Sequence, residues 1–433
     1  MPYMTKEQLS ASLTNINSDV QNKFINDLIN AGVYTGSWPL PDSNPASMAE
    51  VDTNIGPGTQ ILLQNFPLSN DVINTGSADL KGVAVNTSAD TFVGINGPGG
   101  VIVAIGDGND TVNLWSASNS LVIAGAGNDV LGGGVDGNTL MAGSGNDTLY
   151  GAAGNETLMG GSGNDTIYAG ASGHQHLYGS TSGGTAVLYG NGESSLYAGT
   201  GNDTLYGSGH DHLFGGSGIS GHAVIYGGEN TTTESGSAVG GYNILGSGSD
   251  SLGGDSLVAG NGGDQLYGGQ GADTLVGGPN GTFFGAGGYT SHVGETMQGG
   301  GGNDYMYDGG NGNVSMTGGG GDNTFFTFGA DTVNDAGGGS DTIWSSGTGD
   351  QLLVGGDGGN TFQMLSHFGN DTITGGAGND AAGFKDRTTG DILHENTSGG
   401  VTTLVFDNGG GATQTFTISN VETLYFSDGV QHL

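Results

Sequence analysis

"SGNDTLYGAAGNETLMGGSGNDTIYAG", residues 144–170, says nearly the same thing three times at intervals of nine. Gly-Asn-Asp-Thr-Leu-Tyr (145–150) becomes Gly-Asn-Glu-Thr-Leu-Met (154–159) and then Gly-Asn-Asp-Thr-Ile-Tyr (163–168). Each copy joins a glycine-rich turn to a short alternating segment. Thr166 points outward, Ile167 inward and Tyr168 outward, the period of a strand. The inward position stays apolar at Leu131, Leu140, Leu149, Leu158 and Ile167. Two nonads, strand-turn-strand-turn, make one coil of a flattened roll that buries a core only when coils stack. Asp129, Asp147 and Asp165 then line one edge, and Asn138 and Glu156 the opposite edge.

Composition alone argues against any such order. The 433 residues include 95 glycines, 34% hydrophobic residues and no cysteine, and the net charge is -37 from 42 acidic and 5 basic side chains. Low hydrophobicity with high charge is the signature of a disordered chain. The periodicity of the apolar residues opposes that reading. With Lys6, Lys23, Lys81, Lys385 and Arg387 as its only basic residues, the chain has no face for nucleic acid. Disulfides and thiolate metal sites are excluded. No stretch is long and apolar enough for a membrane span, so no membrane insertion is expected. The N-terminus lacks the apolar core of a secretory signal peptide, so export is expected to use another route.

The flanks differ from the repeats. Residues 5–31 are predicted to form one amphipathic helix, with Leu9, Leu13, Ile16, Val20, Phe24 and Leu28 on one face. Thr5 with Gln8 fits a capping box, and Gly32 fits the stop. The expected role of this helix is a cap on the end of a larger body. The prolines between 35 and 60 suggest a linker or wrapping segment. The apolar runs 61–63, 83–85 and 101–105 read as strands. The stretch 228–240 reads as a loop inserted into the array. From about 391 the pattern Phe416, Ile418, Val421, Leu424, Phe426 reads as a terminal β-cap. The expected fold is all-β: a parallel β-roll (β-solenoid) with an N-terminal helix and a C-terminal β-cap. Its expected divisions are 1–60, 61–105, 106–390 and 391–433.

Carboxylates one coil apart lie about 4.8 Å from each other. A hard cation between them turns repulsion into attraction. Ca²⁺ takes six to eight oxygens in flexible geometry, and glycine-rich turns supply carbonyls. Mg²⁺ demands near-ideal octahedra, and zinc prefers His and Cys. The candidate metal-binding residues are Asp110, Asp129, Asp147, Glu156, Asp165, Asp203, Asp255, Asp264, Asp273, Asp304, Asp331, Asp341, Asp371 and Asp380. A site between Asn138 and Glu156 is expected to be weaker than one on the aspartate edge. The hexad Gly-Gly-x-Gly-x-Asp followed by x-apolar-x, as in Gly160–Asp165, resembles the hemolysin-type calcium-binding repeat of RTX (repeats-in-toxin) proteins. The resemblance extends over about 106–380, and the segment 418–429 is similar to the stretch found after such arrays. It implies a parallel β-roll, Ca²⁺ between turns, and type I export through an uncleaved C-terminal signal. Copies that lost the acid, as at Val314 and Asn360, depart from the pattern.

Catalytic signatures are missing. His394-Glu395 is not followed by the second half of a zinc-protease motif, and no G-x-S-x-G elbow occurs. The pairs His174/His176 and His210/His212 fit outward positions of degenerate repeats better than a metal site. Glu193, Glu229 and Glu234 have no spacing that demands a carboxylate pair. The tyrosines 150, 168, 178, 189, 197, 206 and 226, with Phe214, stand outward. They either stack along the roll or form a face for another subunit or a polysaccharide. The expected function is that of a secreted, non-enzymatic, calcium-binding structural protein that self-assembles head-to-tail into a filament, surface layer or biofilm matrix. The competing readings are a polysaccharide-modifying enzyme and a carbohydrate- or ice-binding adhesin module.

Overall fold

The computed structural model describes residues 3–34, 46–50, 59–65, 71–75, 79–208, 210–215, 222–227, 244–246, 254–260, 263–269, 272–286, 294–310, 313–335, 337–365 and 369–433. The inserted stretch 228–240, with Glu229 and Glu234, lies outside them, as does most of the proline segment. The chain forms two compact units, Met1–Tyr206 and Gly207–Leu433. Each is a parallel β-solenoid.

In the first unit, Thr139–Gly145 pairs with Thr157–Gly163, Leu140 facing Leu158. On the other side of the coil Leu131, Leu149 and Ile167 align. All five side chains are fully buried. The predicted eighteen-residue coil is therefore present, with the apolar residue of every strand in the same column. Elsewhere the coil length changes and the column does not. The step from one coil to the next runs from 17 residues (Ala186 to Asp203) to 32 (Ala223 to Asp255). Turns absorb the difference, since one residue of slip within a strand would turn its core face outward. Glycine is required where turns stack closest. Gly145 and Gly163 have φ of +151° and +129°, and an added Cβ would lie 1.5 and 1.6 Å from the carbonyl oxygen of the glycine one coil below.

The parallel ladder starts ahead of the nonads. Ile61–Gln64, Gly82–Val85, Ile102–Ile105 and Leu121–Ile123 stack in register, and Leu121–Ile123 continues into Thr139–Gly145. These strands are buried on both faces, which is why they read as unbroken apolar runs. Leu62, Val83, Val103 and Val122 point into the coil. Ile61, Leu63, Ala84, Ile102, Ala104 and Ile123 point out, beneath the N-terminal helices.

The expected single helix is two: α1 (Lys6–Ser12) and α2 (Ser18–Asn30). Leu13 leaves the helical conformation at φ -85°, ψ 53°, and the Asn17 side chain accepts the N–H groups of Asp19 and Val20 to start α2. Both helices turn their apolar stripe to the same surface, so the periodicity crosses the break unchanged. The capping box at Thr5 and Gln8 is present. At the far end Gly32, at φ +77°, donates to Ile29 O while Val33 N–H donates to Leu28 O, closing the last carbonyls. Contrary to expectation, the pair does not cap an end. It lies across the outer face of the first strands, close enough that a Cβ on Gly82 would stand 2.9 Å from Leu28.

The second unit has two parallel columns of its own, running from His212–Phe214 and Ala223–Tyr226 to Ala381–Phe384 and Thr372–Thr374. The β-cap is present as expected. Ile392–Ser398, Val401–Asp407 and Thr413–Ser419 form an antiparallel meander whose last strand joins the solenoid in parallel at Thr372–Thr374. Thr423–Phe426 extends the other column and folds back as Gly429–His432. Phe384, Phe406, Phe416 and Phe426 pack ring against ring and close the core.

Candidate metal centre

The acidic residues occupy the last turn position before a strand, and a hydrogen-bond ladder holds them there. Thr91 N–H donates to Asp110 Oδ1 (2.8 Å), Asp110 N–H to Asp129 Oδ1 (2.8 Å), Asp129 N–H to Asp147 Oδ1 (2.7 Å) and Asp147 N–H to Asp165 Oδ1 (3.1 Å). Ala186 interrupts the acids, and its N–H donates to Asp203 Oδ1. Each carboxylate thus reaches down to the coil before it. The preceding asparagine reaches the other way: Asn128 Oδ1 accepts from Asn146 N–H, and Asn146 Oδ1 from Asn164 N–H. One Asn-Asp dipeptide pins both neighbouring coils. The asparagine recurs in all three copies between 144 and 170, but the nonad pattern alone assigns it no role.

The first unit has one acidic edge, as expected. The opposite edge carries Ser120, Asn138, Glu156, Gln175 and Ser194 at the equivalent positions. In the second unit both edges carry acids. Ala223 N–H donates to Asp255 Oδ1 and Asp255 N–H to Asp273 Oδ1 on one edge, where Val314 N–H later donates to Asp331 and Gln351 N–H to Asp371. The other edge runs Asp264, Thr282, Asp304, Asn323, Asp341, Asn360, Asp380. All fourteen predicted residues are therefore buried edge positions. The sequence reading missed Asp211, Glu295, Asp308 and Asp335, which are equally buried. Asp308 and Asp335 open a turn where most copies carry glycine, so the nonad pattern could not flag them.

What the second oxygen does separates the sites. In Asp110, Asp129, Asp147, Asp165, Asp203, Asp341, Asp371 and Asp380, Oδ2 is buried with no hydrogen-bond partner. In Asp264, Asp273 and Asp304, Oδ2 accepts a glycine N–H of its own turn, and Asp331 Oδ2 accepts from Phe328 and Gly329. Glu156 is satisfied at both ends, Oε1 by Asn138 Nδ2 (3.0 Å) and Oε2 by Ala152 N–H (2.6 Å). A buried carboxylate oxygen without a partner is costly. The Lys23–Asp27 contact is the one ion pair among the described residues, so lysine and arginine do not neutralise the column. Burial, reinforced by the neighbouring carboxylates, pushes Asp129 up to about 8 and Asp147 to about 7, while Asp110 rises to about 6.

The degenerate copies reveal what the acidic ones lack. Where an amide replaces the acid, its NH₂ group donates to turn carbonyls. Gln175 Nε2 donates to Ala152 O (2.7 Å), Gln351 Nε2 to Gly329 O (3.1 Å) and Ser346 O (2.9 Å), and Asn360 Nδ2 to Gly356 O and Gly358 O. An aspartate has no hydrogen to offer those carbonyls. A cation at the place of the amide nitrogen would draw the carbonyls and the orphan Oδ2 together. The donor set is all oxygen, which fits Ca²⁺ and disfavours zinc. Among the described residues no three His, Asp or Glu side chains converge as a metal cluster, so the backbone must supply part of the shell. The histidines stay apart. His176 stands outward, and His174 Nδ1 meets Glu193 O at 3.1 Å.

The outward tyrosines stack along the roll. Tyr150, Tyr168, Tyr189 and Tyr206 lie 4.8–5.2 Å apart with planes within 8° of parallel, and Tyr178 and Tyr197 pair likewise. Their flat faces cover one another, leaving edges rather than the open rings on which a sugar would stack. Among the described residues no helix is long and apolar enough to cross a membrane.

The family model of the RTX calcium-binding nonapeptide repeat matches residues 116–149, 132–167, 150–172, 189–220, 246–280 and 367–381. A search of curated proteins finds no match to the chain.

Proposed function

From the premise that the chain carries RTX calcium-binding nonapeptide repeats, which bind Ca²⁺, we propose that it is a secreted structural protein. It stays unfolded where calcium is scarce, folds on meeting calcium outside the cell, and assembles head-to-tail into a filament or layer. The observation that carries this reading is the column of buried, unpartnered Oδ2 atoms in a chain of net charge -37. Such a core is self-repelling without a cation, so metal binding becomes folding free energy. The stacked tyrosines favour a load-bearing surface over a sugar-binding one.

Assembly is supported by the C-terminal cap. Gly429–His432 pairs with Thr423–Phe426, and Val430 and Leu433 are 55% and 44% exposed. Ile392–Ser398 is exposed along nearly its whole length. Exposed edge strands are templates for another chain, and a contact between unlike ends makes rings or, where the rotation does not close, open fibres. The test is circular dichroism and sedimentation velocity of the full chain, metal-stripped and then with millimolar calcium. Calcium should bring the β-signal first and large species second. A β-signal of full size in the metal-stripped protein would overturn calcium-coupled folding. A folded protein that stays monomeric at high concentration would overturn assembly.

A further inference from the structure

We infer that Asp335 and Asp341 hold a calcium ion between them within a single turn, a site that the nonad pattern does not supply. The inference rests on the roll being calcium-bound. Its motive is a gap in the column. Asp304, Asn323, Asp341, Asn360 and Asp380 are linked N–H to Oδ1, coil after coil. Acids alternate with amides, so successive carboxylates stand two coils apart, about 10 Å at the usual strand spacing. Ca–O contacts are about 2.3–2.6 Å, so one ion cannot join them. The neighbouring amides need no ion, since Asn323 and Asn360 donate to carbonyls of their own turns. Asp341 must therefore find its partner in its own turn.

Asp335 opens the turn that Asp341 closes. The register of Thr317, Asn334 and Val354 places it in a column with Gly318 one coil below and Gly355 one coil above. Its carboxylate lies over Gly318, where an added Cβ would come within 2.1 Å of Oδ1. Each side chain spends one oxygen on the backbone. Asp335 Oδ1 accepts Gly337 N–H (3.1 Å), and Asp341 Oδ1 accepts Asn323 N–H (2.6 Å). The second oxygen of each is buried without a partner, and the two side chains face one another. Two carboxylates with free oxygens, beside glycine carbonyls and away from lysine or arginine, make a site for a hard divalent cation.

The experiment counts calcium on the full chain by equilibrium dialysis, comparing the parent with Asp335→Asn, Asp335→Gly and Asp147→Asn. Glycine is the residue of both neighbouring coils, so Asp335→Gly tests the site even if the amide disturbs the turn. Both Asp335 variants should bind one calcium fewer and keep the β-signal in saturating calcium. An unchanged count in both, with a loss in Asp147→Asn, overturns this site and leaves the calcium roll standing. A parent chain that binds no calcium overturns both.

Discussion

At the scale of single residues, the roll turns on which side-chain atoms have a partner. Asp147 and Glu156 look alike in the sequence, nine residues apart in the same phrase. In the structure Asp147 keeps a buried oxygen free, whereas Glu156 spends both on Asn138 and Ala152. Their substitutions should therefore separate calcium binding from stability. Asp147→Asn keeps the acceptor for Asp129 N–H and gains an amide like that of Gln175, so it should bind less calcium and retain more β-structure when metal is removed. Glu156→Gln sets an NH₂ group against either Asn138 Nδ2 or Ala152 N–H. It should cost about 1–3 kcal/mol, with calcium binding unchanged. Calcium titration and thermal melting of both variants check this. A calcium deficit confined to Glu156→Gln would reverse the assignment. The identity of the aspartates was legible because the nonad repeats. The division into free and satisfied oxygens was not, because it depends on turn geometry that the Gly-Gly-x-Gly-Asn-Asp pattern shared by Asp165 and Asp304 does not fix.

At the scale of elements, local patterns were read well and their placement less so. The apolar step of α1 and α2 was plain, but the break at Leu13–Asn17 was hidden because both helices present the same face. The runs at 61–105 were recognised as strands. Their second buried face could not be seen without knowing that the helices lie on it. The C-terminal cap was legible from the pattern of Phe416, Ile418 and Leu424, all buried. That cap ends in a strand, Gly429–His432, whose outer edge is the proposed contact for a second copy. Val430→Lys places a charge there without touching the core, and edge lysines block pairing. The variant should melt like the parent in calcium, since exposed substitutions usually change stability by no more than about 0.5 kcal/mol, yet sediment as a monomer. Assembly equal to the parent's would remove this strand from the contact.

At the scale of the whole molecule, charge and fold are one problem, and pH exposes it. Without calcium, burial lifts Asp129 and Glu295 to about 8 and Asp147, Asp203 and Asp371 to about 7. In the unfolded chain carboxyls titrate near 4. Between those values the folded state holds protons that the unfolded state has released, so stability falls as pH rises. The protons' contribution is complete below about pH 4, falls progressively above it and is gone by about pH 8. Calcium acts in the opposite sense, because it needs the ionised form and gains as protons leave. The metal-stripped protein should therefore show more β-structure at pH 5.5 than at pH 8, while calcium should restore the roll most effectively at pH 8. Circular dichroism across this range in metal-free buffer, repeated with calcium, decides the matter. A metal-free β-signal that is flat or rises with pH would mean that the buried carboxylates are neutralised by something other than protons or calcium. The column of unpartnered oxygens would then have to be explained anew.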